Sequence, residues 1–316
     1  MITTVTLNPS IDREYFINEH KPMKDHYIYD SENLQISPGG KGLIAAINIK
    51  NLGYSDVQNI GFIGGKQGLF FEKMVQDHNI TTNYVYTSDE MRNNIKIIAK
   101  NPPSNTMYND YTYSVSKRSV RELKKRFKRS IRKSDYILIA GSIPAEVDFN
   151  IYQELINICN KLNKDVYLKA SGEALNLALK VKPKFVAPYF KHTHKILDFK
   201  VEKKDDYITV GKKLQKKGAE YVIMPFHTNR LLFDKDGSIY MLSPKDYCIK
   251  NLLGAGDAYD ASFFDYIFQN GFDFIKANRY AAAAALSIAE NELVFLESRQ
   301  QIEKNIGNII IEKLEV

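Results

Sequence analysis

Residues 251–264 read Asn-Leu-Leu-Gly-Ala-Gly-Asp-Ala-Tyr-Asp-Ala-Ser-Phe-Phe, and their interpretation decides how the rest of the chain is read. The first part holds too much glycine for a helix interior. From Asp257 the chain runs with few breakers to Gly271, which reads as a helix stop. Gly254, Ala255 and Gly256 are therefore expected to form a tight turn that feeds the first turn of a helix. A helix start leaves backbone N–H groups unpaired and carries the positive end of the macrodipole. Glycine lets that backbone come close to an anion. Asp257 adds a carboxylate beside the anion site, and an anion hole next to a proton acceptor suits phosphoryl transfer to a hydroxyl. An ordinary capped turn before a helix is the other reading of the same residues.

The 316-residue chain is long enough for one large α/β domain or two ordinary ones. With 44% hydrophobic and 26% charged residues it is expected to be globular rather than disordered. No run approaches the roughly 18 uninterrupted apolar residues of a membrane span. The first residues, Met1 to Leu7, start directly as an apolar strand with no basic leader, so secretion is not expected. Cys159 and Cys248 sit in no paired motif, which fits a reducing cytoplasm. The formal net charge of +7 favours anionic ligands, whether sugar phosphates, nucleotides or nucleic acid, without choosing among them.

A β-rich segment over residues 2–7 ends at the turn signal Asn8-Pro9-Ser10, with Asp12 just beyond it. Ligands sit at the carboxyl ends of strands in open α/β sheets, so Asp12 is a candidate contact, although a turn cap is the simpler role. Residues 15–36 are polar with scattered aromatics. Gly39, Gly40, Lys41 and Gly42 then open a helix that Gly53 stops, without the spacing of a Walker loop. Residues 60–63 and 93–99 read as strands, and Tyr84–Tyr86 as another. Segments 15–36 and about 84–114 are expected to form one small sheet standing off the main body. Residues 117–133 carry ten basic residues against Glu122 alone, with Val120, Leu123, Phe127 and Ile131 at helical spacing. A solvated outer face, rather than a nucleic-acid site, is expected there, because no aromatics interleave the charges. Strands alternate with helices through the rest of the chain, ending in an alanine-rich helix at 277–290. That alternation implies a parallel sheet covered on both faces. With no internal repeat and no linker, residues 1–316 read as one domain with a small lid.

These stretches, in this order, resemble the phosphofructokinase B branch of the ribokinase-like sugar kinases, nearest the 1-phosphofructokinase and tagatose-6-phosphate kinase group. The likeness lies in Thr4–Asp12, Gly39-Gly40-Lys41-Gly42, Gly64-Gly65-Lys66, Arg92-Asn93, Gly141-Ser142-Ile143-Pro144, Ser171-Gly172-Glu173-Ala174-Leu175 and Gly254-Ala255-Gly256-Asp257. The resemblance implies a three-layer α/β/α fold with a β-sheet lid that often mediates dimers. It implies ATP and Mg²⁺, and a ketohexose phosphate (tagatose 6-phosphate or fructose 1-phosphate) as acceptor. It places Asp12, Gly39 and Gly40 at the sugar hydroxyls, and Lys41, Arg92 and Ser142 in or near the sugar-phosphate site. Gly254, Ala255 and Gly256 would form the anion hole, with Asp257 as base. The helix around 281–285 could flank the adenine.

Several positions depart from that pattern. Ile44 replaces an asparagine that contacts the sugar. Lys169 stands where an aspartate usually precedes the Ser-Gly-Glu-Ala-Leu stretch. Tyr189, Lys191 and His192 stand in the segment usually tied to the metal and its waters, and none of them supplies a carboxylate. Phe226 and Asn229 replace two glycines of the nucleotide loop. Two readings compete: an ATP-dependent kinase in which Lys169 or Lys191 replaces some of the metal's charge, or a sugar-phosphate binder without efficient turnover. The intact Gly254–Asp257 stretch favours the kinase. No metal-ligating set is identifiable.

Overall fold

A computed structural model describes residues 1–110, 113–189, 195–197, 199–245, 247–250, 252–291 and 294–315. The first strands are β1 (Ile2–Thr6), β2 (Ser10–Ile17), β3 (Leu34–Gly39), β4 (Val57–Gly64), β5 (Thr81–Thr82) and β6 (Val85–Thr87). Next come β7 (Asn93–Lys100), β8 (Pro103–Asn109), β9 (Tyr136–Ala140), β10 (Val166–Lys169), β11 (Phe185–Val186), β12 (Lys195–Ile196) and β13 (Phe199–Lys200). The last are β14 (Tyr221–Phe226), β15 (Asn229–Phe233), β16 (Ile239–Pro244) and β17 (Ile309–Leu314). The helices are α1 (Lys41–Asn51), α2 (Gly65–Asp77), α3 (Lys117–Ser130), α4 (Ile151–Asn160) and α5 (Gly172–Leu179). They continue with α6 (Lys204–Lys217), α7 (Ala255–Asn270), α8 (Phe274–Glu290) and α9 (Arg299–Ile306).

The main sheet runs β17-β16-β15-β14-β11-β10-β9-β1-β4-β5, with β6 pairing β4 further along. From β14 through β4 the neighbours are parallel, and β14 to β17 form an antiparallel extension. β1 lies in the middle and every one of its residues is buried. Its threonines would be a liability there without partners. Thr3 pairs with the Ser134 hydroxyl at 2.7 Å, and Asn59 donates to the Thr4 and Thr6 hydroxyls at 2.7 and 3.1 Å. Tyr84 completes the network by donating to Asn59 Oδ1 at 2.7 Å.

Helices cover both faces, giving the expected three-layer α/β/α fold. In one row α7 packs between α1 and α8, and α8 on α9; α3, α4 and α5 form a second row. α7 docks through aromatic rings: Phe263 lies 5.2 Å from Phe185 and Phe264 lies 5.5 Å from Tyr167, centroid to centroid. Phe185 in turn stacks on Tyr221 at 5.2 Å. These contacts anchor the middle of α7 on β10, β11 and β14, and so hold its first turn at the carboxyl end of β10.

A second sheet, β3-β2-β7-β8, stands apart as the lid. It differs from the expected segments in two ways. The lid begins at Ser10 rather than at residue 15, so Asp12 is a strand residue paired with Ser37 and Asn94, not a turn residue. At the other end, Val85–Thr87 belongs to the main sheet, held by the buried Tyr84. Tyr111 and Thr112 of the expected second segment lie outside the described residues. Inside the lid, Lys96 and Glu14 form a buried ion pair at 3.1 Å.

The basic helix α3 buries Leu123 and Phe127 and leaves Lys125 and Lys128 exposed. Phe127→Ala is expected to cost about 3–5 kcal/mol by opening a cavity. Lys125→Glu and Lys128→Glu should each move stability by less than about 0.5 kcal/mol. Urea unfolding of the three variants checks both statements; a large loss from either charge reversal would mean that the outer face is not simply solvated.

Candidate active site

Gly254, the cap of α7, has φ 79°, and a Cβ there would lie 2.3 Å from the Val294 carbonyl oxygen. Only glycine takes this left-handed conformation in that space without displacement. In the turn it starts, the Ala255 N–H bonds Leu252 and the Asp257 N–H bonds Gly254. The N–H groups of Gly254 and Gly256 have no hydrogen-bond partner among the described residues. Of the three residues expected to form an anion hole, Gly254 and Gly256 thus keep open donors at a helix start and Ala255 does not.

Asp257 sits on the first turn of α7, buried, beside Lys169 at the end of β10. Lys169 Nζ donates to Asp257 Oδ1 at 2.9 Å, to Asp260 Oδ2 at 2.5 Å and to the Gly256 carbonyl at 2.9 Å. Tyr167 donates to the other oxygen of Asp260 at 2.8 Å. All three N–H bonds of the ammonium are therefore committed, and Asp257 Oδ2 is left facing the cleft. Burial pushes the Asp257 carboxyl up, but the charges of Lys169 and Lys41 and the Lys169 hydrogen bond hold it below the usual carboxylate range. Asp260 is pushed up by burial and by its neighbour Asp257, against the pull of Lys169 and Tyr167. Burial alone would lower the Lys169 ammonium, yet the two carboxylates raise it well above its ordinary value.

A cavity of about 300 Å³ brings together Lys41, Lys169, Tyr189, Arg230, Gly254 and Asp257. Lys41, the first residue of α1, holds its ammonium 5.3 Å above the Tyr189 ring. Leu253 joins this cavity to another of about 420 Å³ that contains Asp12, Glu14, Gln35, Ser37 and Ile44. There Asp12 Oδ1 accepts from Ser10 at 2.7 Å and from Asn94 at 2.8 Å, and burial outweighs both bonds and raises its pKa. Gly39 makes room for this carboxylate: a Cβ would meet Asp12 Oδ2 at 2.2 Å. A Cβ on Gly40, at φ 124°, would strike Thr6 at 2.5 Å. Ile44 stands as an apolar wall of the same cavity as Asp12.

Arg92 and Ser142 are placed more structurally than the sequence reading expects. The Arg92 guanidinium donates to the carbonyls of Asn8 and Pro9 at 3.2 and 3.3 Å and to Asn94 Oδ1 at 3.4 Å. Two of its five N–H bonds are left for a ligand. Ser142 accepts from Asn8 Nδ2 at 3.2 Å, and Asn8 also supplies its carbonyl to Arg92.

A third cavity, about 220 Å³, adjoins the Gly256 turn and is lined by Pro225, Leu242, Ala282, Ala285, Leu286 and Ala289 among others. Its apolar walls fit a flat heterocycle, and the charged cavity beside it fits a phosphate chain, so the pair suits a nucleotide. Of the alanine-rich stretch, Ala282 and Ala285 face the cavity while Ala281, Ala283 and Ala284 belong to the core. The loss of glycines at Phe226 and Asn229 leaves a two-residue hairpin turn whose His227 itself takes a positive φ of 51°. Phe226 packs edge-on against Tyr207 at 4.9 Å.

The donor set does not fit a protein-held Mg²⁺. Magnesium needs carboxylate oxygens free to coordinate. Here both carboxylates beside the Gly254–Gly256 turn are bridged to the Lys169 ammonium, and only Asp257 Oδ2 remains uncommitted. No group of three or more His, Cys, Asp or Glu side chains could hold a metal among the described residues. Lys191 and His192 lie outside them. Lys169, one of the two lysines considered for the metal's charge, lies between the Asp257 and Asp260 carboxylates.

Asp260 and Arg230 escaped the sequence reading. Asp260 had a signal: a carboxylate at i+3 from Asp257 lies on the same helix face, and that face is buried. Lys169→Met should cost about 3–5 kcal/mol, because it leaves two buried carboxylates unpaired. Adding Asp260→Leu should recover more than half of that loss. Urea unfolding of the two singles and the double tests the linkage; strictly additive losses would refute it.

The family model described as pfkB family carbohydrate kinase matches residues 7–296. A 1-phosphofructokinase of Borreliella burgdorferi is 27% identical over 293 residues, 92% of either chain. One from Bacillus subtilis is 27% identical over 83% of this chain and 84% of that one. The solved structure of a Thermotoga maritima protein titled "Possible 1-phosphofructokinase" superposes with a TM-score of 0.92 at 28% identity, covering 99% of both chains. Phosphofructokinase-2 of Escherichia coli shares the fold, with a TM-score of 0.87 at 22% identity over 97% of this chain and 98% of that one. The turn and carboxylate at Gly254–Asp257 thus belong to a chain that is a member of the pfkB family of carbohydrate kinases.

Proposed function

We propose that this protein transfers a phosphoryl group from ATP to a hydroxyl of a ketohexose phosphate, giving the bisphosphate, with fructose 1-phosphate as the first candidate acceptor. The observation that carries the reading is Asp257 at the head of α7, with one oxygen tied to Lys169 and the other open to the cleft beside two unpaired N–H groups. The names of the relatives support fructose 1-phosphate over tagatose 6-phosphate. They give no support to a binder without turnover.

Bound ATP would supply the γ-phosphoryl group. Asp12, held by Ser10 and Asn94, orients the sugar hydroxyls. The two open N–H bonds of Arg92 offer charge to the acceptor's phosphate, with Ser142 nearby through Asn8. Asp257 Oδ2 takes the proton of the attacking hydroxyl as the new P–O bond forms and the bond to ADP breaks. Lys169 makes Asp257 a weaker base, which suits a loose transition state in which the proton leaves late. The open N–H groups of Gly254 and Gly256 face the charge that develops on the transferring oxygens. The lid presents Ile36, Ile95 and Tyr108 in one exposed cross-strand row with Arg13, and that row supports a homodimer through the lid.

The test is ADP formation with ATP and a panel of ketohexose phosphates. Fructose 1-phosphate should be turned over. Asp257→Asn should lower kcat by about 10²–10⁴-fold with acceptor binding retained. No ADP with any acceptor at high enzyme would sink the proposal. The pH dependence should split. Asp257, with its lowered pKa, stays ionised as pH falls through the usual carboxylate range, whereas Asp12, raised, protonates first. On acidification KM for the sugar should therefore rise before kcat falls; the reverse order would contradict the assigned roles.

A further inference from the structure

Arg230 opens no expected motif, yet it lines two adjoining cavities of the cleft. It lies on β15, paired across the hairpin with Pro225, and lines both the apolar cavity beside α8 and the charged cavity around Asp257. Its guanidinium sits 5.1 Å above the Tyr259 ring, and Tyr259 is fixed by its hydroxyl donating to Asn278 at 2.5 Å. Of the five N–H bonds one, from Nη1, is used on the carbonyl of the neighbouring Asn229 at 2.9 Å. The other four have no partner among the described residues. A fork of free N–H bonds on a rigid aromatic platform is suited to two phosphate oxygens at once.

The charge inventory of the adjoining cavity points the same way. Among the described residues it holds the cations Lys41, Lys169 and Arg230 against the carboxylates Asp257 and Asp260. Both carboxylates are bridged to Lys169, whose own N–H bonds are all committed. The cavity therefore carries excess positive charge, with Arg230 and Lys41 as the cations not bridged to a carboxylate. A divalent cation entering there would meet a net positive field and no uncommitted pair of carboxylates. A polyphosphate would meet the reverse.

We propose that Arg230, with Lys41, binds the polyphosphate of the phosphoryl donor directly, so that the nucleotide is held without a divalent cation bound by the protein. The proposal rests on the kinase reading and adds how the donor is held. The free fork of Arg230 grips the phosphates at the waist between the two cavities. Lys41 and the Gly254 and Gly256 N–H groups belong to the same cavity as Asp257 and add their donors to that grip.

The experiment is calorimetric titration of the full chain with ADP, once in EDTA and once in excess Mg²⁺, for the wild type, Arg230→Leu and Arg230→Lys. Wild type should bind ADP in EDTA within about threefold of its Kd in Mg²⁺, because little of the binding energy passes through the metal. Arg230→Leu should weaken ADP in EDTA by more than about tenfold while adenosine changes little, as expected for the loss of charge-assisted hydrogen bonds. Arg230→Lys, which keeps the charge and loses the fork, should fall between; it also serves if the leucine variant does not fold. The proposal is overturned if chelation weakens wild-type ADP binding about tenfold or more, or if both Arg230 variants bind ADP as the wild type does. In either case the kinase reading stands. Absence of ADP binding in both conditions would overturn that reading and this inference together.

Discussion

The Lys169 ammonium, held between Asp257, Asp260 and the Gly256 carbonyl, is the constraint on which the candidate site depends. Two carboxylates one helical turn apart on a buried face would repel one another and force one of them to protonate. A buried lysine without them would shed its charge. Together the three satisfy each other, and Tyr167 donates to the other oxygen of Asp260. Such a cluster adds little net stability over an apolar substitute, because desolvation offsets most of the attraction. What it does provide is a fixed rotamer and a fixed ionisation state for Asp257 at the mouth of the anion turn.

The position of this cluster is set by packing elsewhere. Phe263 and Phe264 lock α7 onto the rings of Tyr167 and Phe185. Tyr167 belongs to the same strand as Lys169, and its hydroxyl reaches Asp260 while its ring meets α7. One strand thus contributes both the aromatic anchor and the cation, and the ion cluster cannot shift without disturbing the core. The left-handed turn at Gly254, pressed against the Val294 carbonyl, fixes the other side of the base.

Much of the fold was legible from local pattern. The Gly-Ala-Gly-Asp stretch does start a helix, Gly39–Gly42 does open another, and Leu123, Phe127 and Ile131 do point inward. Those features depend on periodicity and on glycine, which act over a few residues. The Ser10–Ile17 strand and the placement of Val85–Thr87 were not legible, because lid and main sheet differ in long-range pairing rather than in composition. The C-terminal strand β17 completes an antiparallel edge that only β16 defines. Asp12, Lys41 and Asp257 were singled out by their setting, and they line the two charged cavities. Asp260 was missed because its partner Lys169 is 91 residues away, and no local pattern records that pair.

Arg230 was missed for a related reason. The hairpin between β14 and β15 reads as a damaged nucleotide loop if it is judged by its absent glycines, since Phe226 and Asn229 bar a close backbone approach. The fold answers that loss with a side chain. A backbone N–H reaches a phosphate only where no Cβ intervenes, whereas a guanidinium reaches it from several ångströms away and carries a full charge. The turn can then be closed by His227 at positive φ without weakening an anion site, because the turn's backbone no longer has to be that site. The same logic holds at Lys169, where an ammonium stands among carboxylates as a permanent counter-ion. At both places a fixed side-chain cation carries the charge balance of the cleft, while the helix start that positions Asp257 depends on neither.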